Sequence, residues 1–373
     1  MTSPPVRIGA PIEEIDTPAL VVDLDAFEHN LRKLADFGRK AGMRLRPHAK
    51  THKCPVIALK QITLGAVGQC CQKVGEAEAL VRGGVKDVLL SNEVVGLQKL
   101  RRLAALAKDA TVTLCFDAAE QVEATGAVAR DFGIELGALV EIEVGMQRCG
   151  VLPGEPTLEL ARLIGKTPGL RFRGLQAYHG AAQHLPSFVE REKAIQTAAG
   201  AVRQTVDLLR WNGIACEFVT GAGTGTYEIE AASGLWNEIQ AGSYIFMDTD
   251  YARIGGRNSN HFSDFEHSLF VLATVMSVPS ADRAVVDAGL KSYSAEKGPP
   301  WVHGLADVET VGVSDEHCKL KVGPKAKPLR RGDKVMLIPG HCDPTVNLHD
   351  WYVGIRNGRV EALWPIAARG AST

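Results

Sequence analysis

Aromatic side chains are scarce in this chain, with 5 Trp, 6 Tyr and 11 Phe among 373 residues, and no basic tract is interleaved with them. Surfaces that stack bases or track a phosphate backbone need both features, so nucleic acid is not an expected partner. An excess of charge of either sign is also missing: 42 basic and 43 acidic side chains leave a net charge of -1. No apolar run reaches the roughly 18 to 20 residues of a bilayer span. Met1 to Pro11 lacks the apolar stretch of a signal peptide. A cytoplasmic protein with no membrane partner is therefore expected. The eight cysteines include the adjacent Cys70 and Cys71 but no Cys-x-x-Cys pair, which argues for reduced packing residues and against a disulfide framework or a zinc cage. No repeat of solenoid length and no low-complexity segment occurs, and Lys319 to Arg331 reads as a basic surface loop.

What the chain does have is a regular alternation. Apolar strand-like runs recur at Met43 to Pro47, Gly65 to Cys70, Asp87 to Ser91, Val112 to Asp117, Ala138 to Val144, Phe172 to Tyr178, Glu217 to Thr220 and Glu238 to Phe246. Helical stretches separate them: Val56 to Leu64, Glu76 to Gly83, Leu97 to Lys108, Ala119 to Phe132, Thr157 to Ile164 and Ser187 to Trp211, with only Tyr227 to Trp236 in the seventh gap. Eight strand-helix units over about 200 residues predict an α/β fold, a (β/α)8 TIM barrel with its chemistry at the C-terminal strand ends. A doubly wound open sheet is the competing layout, which periodicity alone does not separate. Ahead of the alternation, Thr17 to Asp25 reads as a strand whose Asp25 caps a helix over Ala26 to Arg39. From Asn258 the pattern changes to strands without long helices, at Leu269 to Val278, Arg283 to Asp287, Lys334 to Ile338 and Gly354 to Trp364, which predicts a smaller C-terminal β-domain. The expected division is 1–24, a segment packing with the β-domain, then 25–257, the barrel, then 258–373, the β-domain.

The first barrel strand delivers a lysine. Pro47 biases Arg46 to an extended conformation and cannot donate to a ladder, so the strand ends near His48. Lys50, Lys53, His48 and His52 then crowd one loop, where repulsion and partial burial would depress a lysine into a Schiff-base nucleophile. Polar residues follow the other strand ends as well: Cys71-Gln72-Lys73, Asn92, Asp117, Gln147-Arg148, Tyr178-His179 with His184, the loop Gly221-Ala-Gly223-Thr224-Gly225-Thr226, and Tyr244. Glycines let backbone N–H groups approach an anion, and two threonines add hydroxyl donors, which is phosphate-cradle chemistry. The P-loop lysine and the Rossmann glycine pattern are both absent. A phosphate anchor and an amine nucleophile on one barrel mouth are what pyridoxal phosphate requires.

Six motifs in order carry a family resemblance: Arg46-Pro-His-Ala-Lys-Thr-His-Lys53, Val144-Gly-Met-Gln-Arg-Cys-Gly-Val151, Gln176-Ala-Tyr-His-Gly180, the Gly/Thr loop, Gly242-Ser-Tyr-Ile-Phe-Met-Asp248 and Gly340-His-Cys-Asp-Pro344. Together they resemble the D-threonine aldolase and D-serine dehydratase family of fold-type III pyridoxal-phosphate enzymes, which have an alanine-racemase-like barrel. The resemblance implies that Lys50 is the Schiff-base lysine and that Arg148, Tyr178, Gly223, Thr224, Gly225 and Thr226 hold the cofactor. It also implies Tyr244 at the phosphate end, a small-molecule amino-acid substrate, and a homodimer.

Within that family the segment ending in His341-Cys342-Asp343 discriminates. Read as an extended chain, it presents His341 and Asp343 on one side, and an imidazole with a carboxylate suits Mn²⁺ or Mg²⁺. His-x-Asp resembles the aldolases, whereas the dehydratase branch carries His-x-Cys. The expected activity is therefore metal-dependent retro-aldol cleavage of D-threonine and related D-β-hydroxy-α-amino acids to glycine and an aldehyde, with His184 as base and His179 as second choice. A 3-hydroxyaspartate aldolase is a near variant, and β-elimination of D-serine or 3-hydroxyaspartate is the next reading. A non-catalytic pyridoxal-phosphate homeostasis protein is disfavoured, since the resemblance in that case covers the barrel alone.

Overall fold

The computed structural model describes residues 3–373, which form two compact units. One comprises the chain up to Lys33, Thr51–Cys54 and Ser243–Gly370; the other comprises Leu34–Lys50, Pro55–Gly242 and Ala371–Thr373. The division thus falls at Ser243, ahead of the boundary expected at Asn258. Half of the first long helix, Leu24–Ala41, belongs to the β-rich unit. The reason is packing: Phe27 lies 5.5 Å from the Trp364 ring, and Asn30 donates to the carbonyl of Glu266 at 2.7 Å.

Strands are numbered along the chain, beginning with β1, Ala19–Asp23, in the β-rich unit. The other unit holds β2 (Arg44–Leu45), β3 (Gln69–Cys71), β4 (Asp87–Glu93), β5 (Thr111–Phe116), β6 (Leu136–Glu141), β7 (Leu170–Ala177), β8 (Phe218–Gly221) and β9 (Glu238–Ile239). These pair in parallel in the order β2-β9-β8-β7-β6-β5-β4-β3. The two ends of the row are joined: Val67 N–H donates to Leu45 O and Cys70 N–H to Pro47 O, each at 2.9 Å, and Ala49 N–H to Cys70 O at 2.7 Å. The sheet therefore closes as the expected TIM barrel. The open doubly wound layout is excluded, because it would leave two free edges.

The bore holds an apolar cluster of Cys70, Leu89, Cys115, Leu139 and Phe218. An ionic group lies against it, with the Arg44 guanidinium 4.3 Å over the Phe218 ring. Arg46 donates from Nε to Glu238 at 2.9 Å and from Nη1 to Asp87 at 2.7 Å, and Glu238 also accepts from Arg44 at 3.2 Å and from the Thr220 hydroxyl at 3.0 Å. Burial alone would lower the Arg46 pKa; Glu238 and Asp87 outweigh it, so the guanidinium is held charged.

Beyond the barrel come β10 (Leu269–Ser280), β11 (Arg283–Val286), β12 (Trp301–His303), β13 (Val308–Val313), β14 (Cys318–Val322), β15 (Lys334–Ile338), β16 (Trp351–Arg356) and β17 (Arg359–Pro365). With β1 they form a nine-stranded sheet in which β1 lies antiparallel to β10 and parallel to β16. Its apolar core gathers Val21, Phe270, Leu272, Val353 and Ile355. The α/β fold with a second, smaller β-unit is the architecture expected.

Four local readings are corrected. Asp25 does not cap the first helix; Asp23 does, its carboxylate accepting from the Asp25 and Ala26 N–H groups at 3.0 and 3.1 Å. The basic stretch from Lys319 is not all loop, since β14 runs through it with Cys318, Leu320 and Val322 inward and the two lysines outward. Gly354 to Trp364 is not one strand but the hairpin β16–β17, turned at Asn357 and Gly358, both with positive φ, the usual Asn-Gly signature. The last barrel strand stops at Ile239, and the apolar run to Phe246 becomes a buried turn, Ser243–Ile245, because apolarity alone does not distinguish buried strand from buried turn.

Replacing Arg46 with Met leaves Glu238 buried in the bore without its main cation, and should lower the unfolding free energy by about 3 kcal/mol in urea titrations. Adding Glu238→Gln should recover much of that loss. Wild-type stability in the single variant would mean that Arg44 and Thr220 suffice to hold Glu238.

Candidate active site

At the C-terminal end of β2 the chain is stitched to its neighbours by His48. Its Nδ1 accepts the Lys50 N–H at 3.4 Å, while Nε2 lies 3.1 Å from the Gln72 side-chain amide and 3.4 Å from Ser91 Oγ. Lys50 is half-buried on this rim. Lys53 differs: it is 8% exposed, has φ 50°, and belongs to the β-rich unit, where its carbonyl accepts from the Ala368 N–H at 3.0 Å. Of the two lysines, Lys50 is the one presented at the barrel's C-terminal end.

The loop after β8 begins at Ala222, whose φ of 66° is left-handed, and its glycines serve a different purpose from the one expected. A side chain at Gly223 or Gly225 would collide with Gln183, whose Oε1 accepts the Gly225 N–H at 3.0 Å. The close approach is to protein, so Gly225 N–H is already used. Thr226 is used too: its hydroxyl donates to Glu230 at 2.7 Å and accepts from Gln183 Nε2 at 2.7 Å, leaving it no proton for a phosphate. Thr224 is different, since its hydroxyl is buried without a hydrogen-bond partner. An orphaned hydroxyl at this place fits an acceptor oxygen such as that of a phosphate, and with Lys50 on the same rim the residues fit pyridoxal phosphate.

The loops after β6 and β7 meet. The His179 ring lies against Gly145, the Tyr178 ring and Met146 sulfur leave no room for a side chain at Gly180, and Arg148 stands four residues beyond Val144, with Nη2 3.8 Å from Glu141. Burial pushes the Glu141 carboxyl up to about 8, Glu93 adds to the shift, and Arg148 partly offsets it. His179 is lowered by burial and so favours its neutral form. His184 ends the short turn Ala181–His184 and is exposed. Glu93, Asp117 and Cys149 bring ligand atoms within 4.8 Å of one another. Asp117, however, already accepts from Gly150 N–H and Gln121 at 3.1 and 2.8 Å.

In the β-rich unit, His341 caps the helix Cys342–Val346 and Asp343 lies in its first turn, so the two are not alternate residues of an extended chain as expected. The His341 Nδ1 is bonded to the Glu296 carboxylate, which leaves Nε2 to face a ligand, the arrangement metal-bound imidazoles commonly adopt. Beneath them Asp248 accepts the Cys342 N–H at 2.9 Å, and burial raises its pKa. Tyr244 is buried in the same unit with its ring edge-on to Phe265.

Comparison with known proteins fits this geometry. Residues 22–250 match the alanine racemase N-terminal domain and residues 268–355 a putative serine dehydratase domain. A 3-hydroxy-D-aspartate aldolase of Paracoccus denitrificans is 48% identical over 98% of this chain and 95% of its own length. A D-threonine aldolase of an Arthrobacter species is 47% identical over 99% and 97%. The crystal structure of D-threonine aldolase from Filomicrobium marinum superposes with a TM-score of 0.96 at 45% identity, covering all of both chains. This chain belongs to the D-threonine aldolase and D-serine dehydratase family. It is an enzyme of the lyase class with the fold-type III pyridoxal-phosphate fold.

Sequence reasoning within this family missed Gln183, Glu230, Glu141 and Glu296. Glu296 lies in a segment with no periodicity and no spacing to His341 that a reader could use. Glu230 had a signal, being four residues after Thr226 on a short helix, the spacing at which helical side chains meet.

Glu230 also sets a pH dependence. Burial pushes its carboxyl up to about 8, with the Thr226 bond partly offsetting, against an ordinary 4.5. Between those values the folded chain keeps a proton that the unfolded chain has released, so this group's contribution to stability falls as pH rises through the window. Glu230→Gln removes the effect, and its melting temperature should gain on wild type from about pH 5 to about pH 8. A difference that stays constant across that range would mean Glu230 is ionised in the folded state.

Proposed function

We propose that this chain is a pyridoxal-phosphate- and divalent-metal-dependent aldolase that cleaves D-β-hydroxy-α-amino acids, D-threonine among them, to glycine and an aldehyde. The observation that carries the reading is the pairing, on one barrel rim, of the Lys50 amine at the end of β2 with the buried, unbonded Thr224 hydroxyl at the end of β8. Bound there, the cofactor supplies an electron sink for the carbanion left at Cα when Cα–Cβ breaks. A divalent ion at His341 and Asp343 would acidify the substrate's β-hydroxyl.

The remaining work falls to side chains. Lys50 Nζ would hold the cofactor, Thr224 would donate to its phosphate, and Arg148 as a cation and Tyr178 as a ring or hydroxyl partner would help hold it; Tyr244 is assigned to the phosphate end. His184 takes the β-hydroxyl proton. It is preferred to His179 because His179 is packed against Gly145 with Nδ1 enclosed, whereas His184 stands exposed. Glu296 orients His341 through Nδ1. A second reading, cleavage of 3-hydroxy-D-aspartate, is favoured by the equally similar aldolase of that substrate. A homodimer, as the family resemblance implies, is part of the same proposal.

Incubation with D-threonine or 3-hydroxy-D-aspartate should yield glycine and the matching aldehyde; ammonia and a keto acid instead would make the chain a dehydratase. Lys50→Ala should lose the visible absorbance of the loaded protein while Lys53→Ala keeps it, and the reverse pattern would move the anchoring amine. EDTA, His341→Ala and Asp343→Ala should each abolish cleavage and spare that absorbance, with Mn²⁺ restoring only the chelated wild type. Full activity in thoroughly chelated protein would return His341 and Asp343 to ordinary helix-cap residues.

A further inference from the structure

The turn that carries His184 and the loop that carries Thr224 are not independent. Gly225 is the hub between them. Its N–H donates to Gln183 Oε1 at 3.0 Å, and its carbonyl accepts from Arg191 Nε at 2.9 Å; the Arg191 Nη1 in turn donates to the carbonyl of Leu185 at 3.0 Å. The residues on either side of His184, Gln183 and Leu185, are therefore both tied to one residue of the loop, Gly225. Gln183 adds two more bonds from Nε2, to Thr226 Oγ1 at 2.7 Å and to the carbonyl of His179 at 3.3 Å. Gln183 and Arg191 are both fully buried. Glycine at 223 and 225 lets Gln183 sit against the loop with no side chain between.

We propose that Gln183 and Arg191 are positioning residues that couple the phosphate site to the proton-transferring turn, so that occupation of the Thr224 site orders His184. The proposal rests on the reading of Gly223–Thr226 as the phosphate loop. A buried bond network with two anchor points transmits order in this way: a ligand that removes motion from the loop removes it from whatever the loop holds, and the coupling is reciprocal. A network that only stabilised the fold would bind the same groups, but would not distinguish a ligand with a phosphate from one without.

The test uses hydrogen–deuterium exchange on the full chain, with pyridoxal phosphate, pyridoxal and inorganic phosphate as probes. In wild type, pyridoxal phosphate and inorganic phosphate should slow exchange in the loop peptide and also at Gln183 and Leu185, whose N–H groups bond to Gly180 and Ala182, while pyridoxal should leave the turn unchanged. In Gln183→Met the loop should still be protected, the turn should not, and the preference for pyridoxal phosphate over pyridoxal should fall about tenfold. Should Met not fold, Gln183→Leu, which likewise carries no polar atom and loses all three bonds, is expected to behave alike. Turn protection by phosphate that persists in the Gln183 variant overturns the coupling. Absence of loop protection in wild type overturns the phosphate-loop reading itself, and is told apart because it appears before any substitution is made.

Discussion

The ion pair of Arg46 with Glu238 and Asp87 is the constraint on which the barrel unit depends. Arg46 and Glu238 have been taken out of water together, and removing either partner leaves the other buried and unpaired at a cost of several kcal/mol; Asp87, partly exposed, adds a second carboxylate at the edge of the pair. The pair fixes β2 against β9 through Glu238 and reaches β4 through Asp87, so it holds the place where the row of strands closes. Pro47 follows at once, and Lys50 lies four residues from Arg46. The charge pair thus anchors the end of β2, just ahead of the lysine.

From Glu238 the polar side of the bore continues upward. Thr220 bonds Glu238, Gln240 bonds Thr220, and Gln240 and Gln176 exchange amide bonds, the shorter at 2.7 Å. Each group satisfies the next, which is how a polar column survives inside a packed barrel. The rest of the bore is filled by sulfur and carbon, with the free cysteines at 70 and 115 packed among Leu89, Leu139 and Phe218. Rigid walls of both kinds carry strand-end loops whose positions are set by the barrel, and it is on these loops that the chemistry is proposed.

The loops themselves are ordered by second partners. His48 holds Lys50's backbone, Glu141 stands beside Arg148, Gln183 and Glu230 fix the Gly/Thr loop, and Glu296 bonds His341. Two of these carboxyls, Glu141 and Glu230, are pushed up to about 8 by burial. A neutral Glu230 adds no negative charge beside the loop proposed to hold the phosphate, where an ionised one would oppose an anion.

The sequence by itself determined the eightfold strand-helix alternation, the β-rich second unit and the lysine-bearing strand end, because strand-helix periodicity and Pro47 are local signals that burial does not alter; closure of the row into a barrel was decided by the bonds that join β2 to β3. Local signals also contained the Asn357-Gly358 turn and the inward-outward alternation of β14, although composition pulled the reading of those segments toward a single strand and a loop. Tertiary structure alone decided which threonine hydroxyl is available, since Thr226 and Thr224 are indistinguishable until Gln183 and Glu230 arrive from residues distant or unremarked in sequence. It alone decided that Gly223 and Gly225 make room for a glutamine, and that His341 and Asp343 sit on a helix start with Glu296 behind. The Thr226–Glu230 bond had a local spacing to betray it, but the Gln183 bonds join side chains about forty residues apart, and no spacing within one segment encodes those.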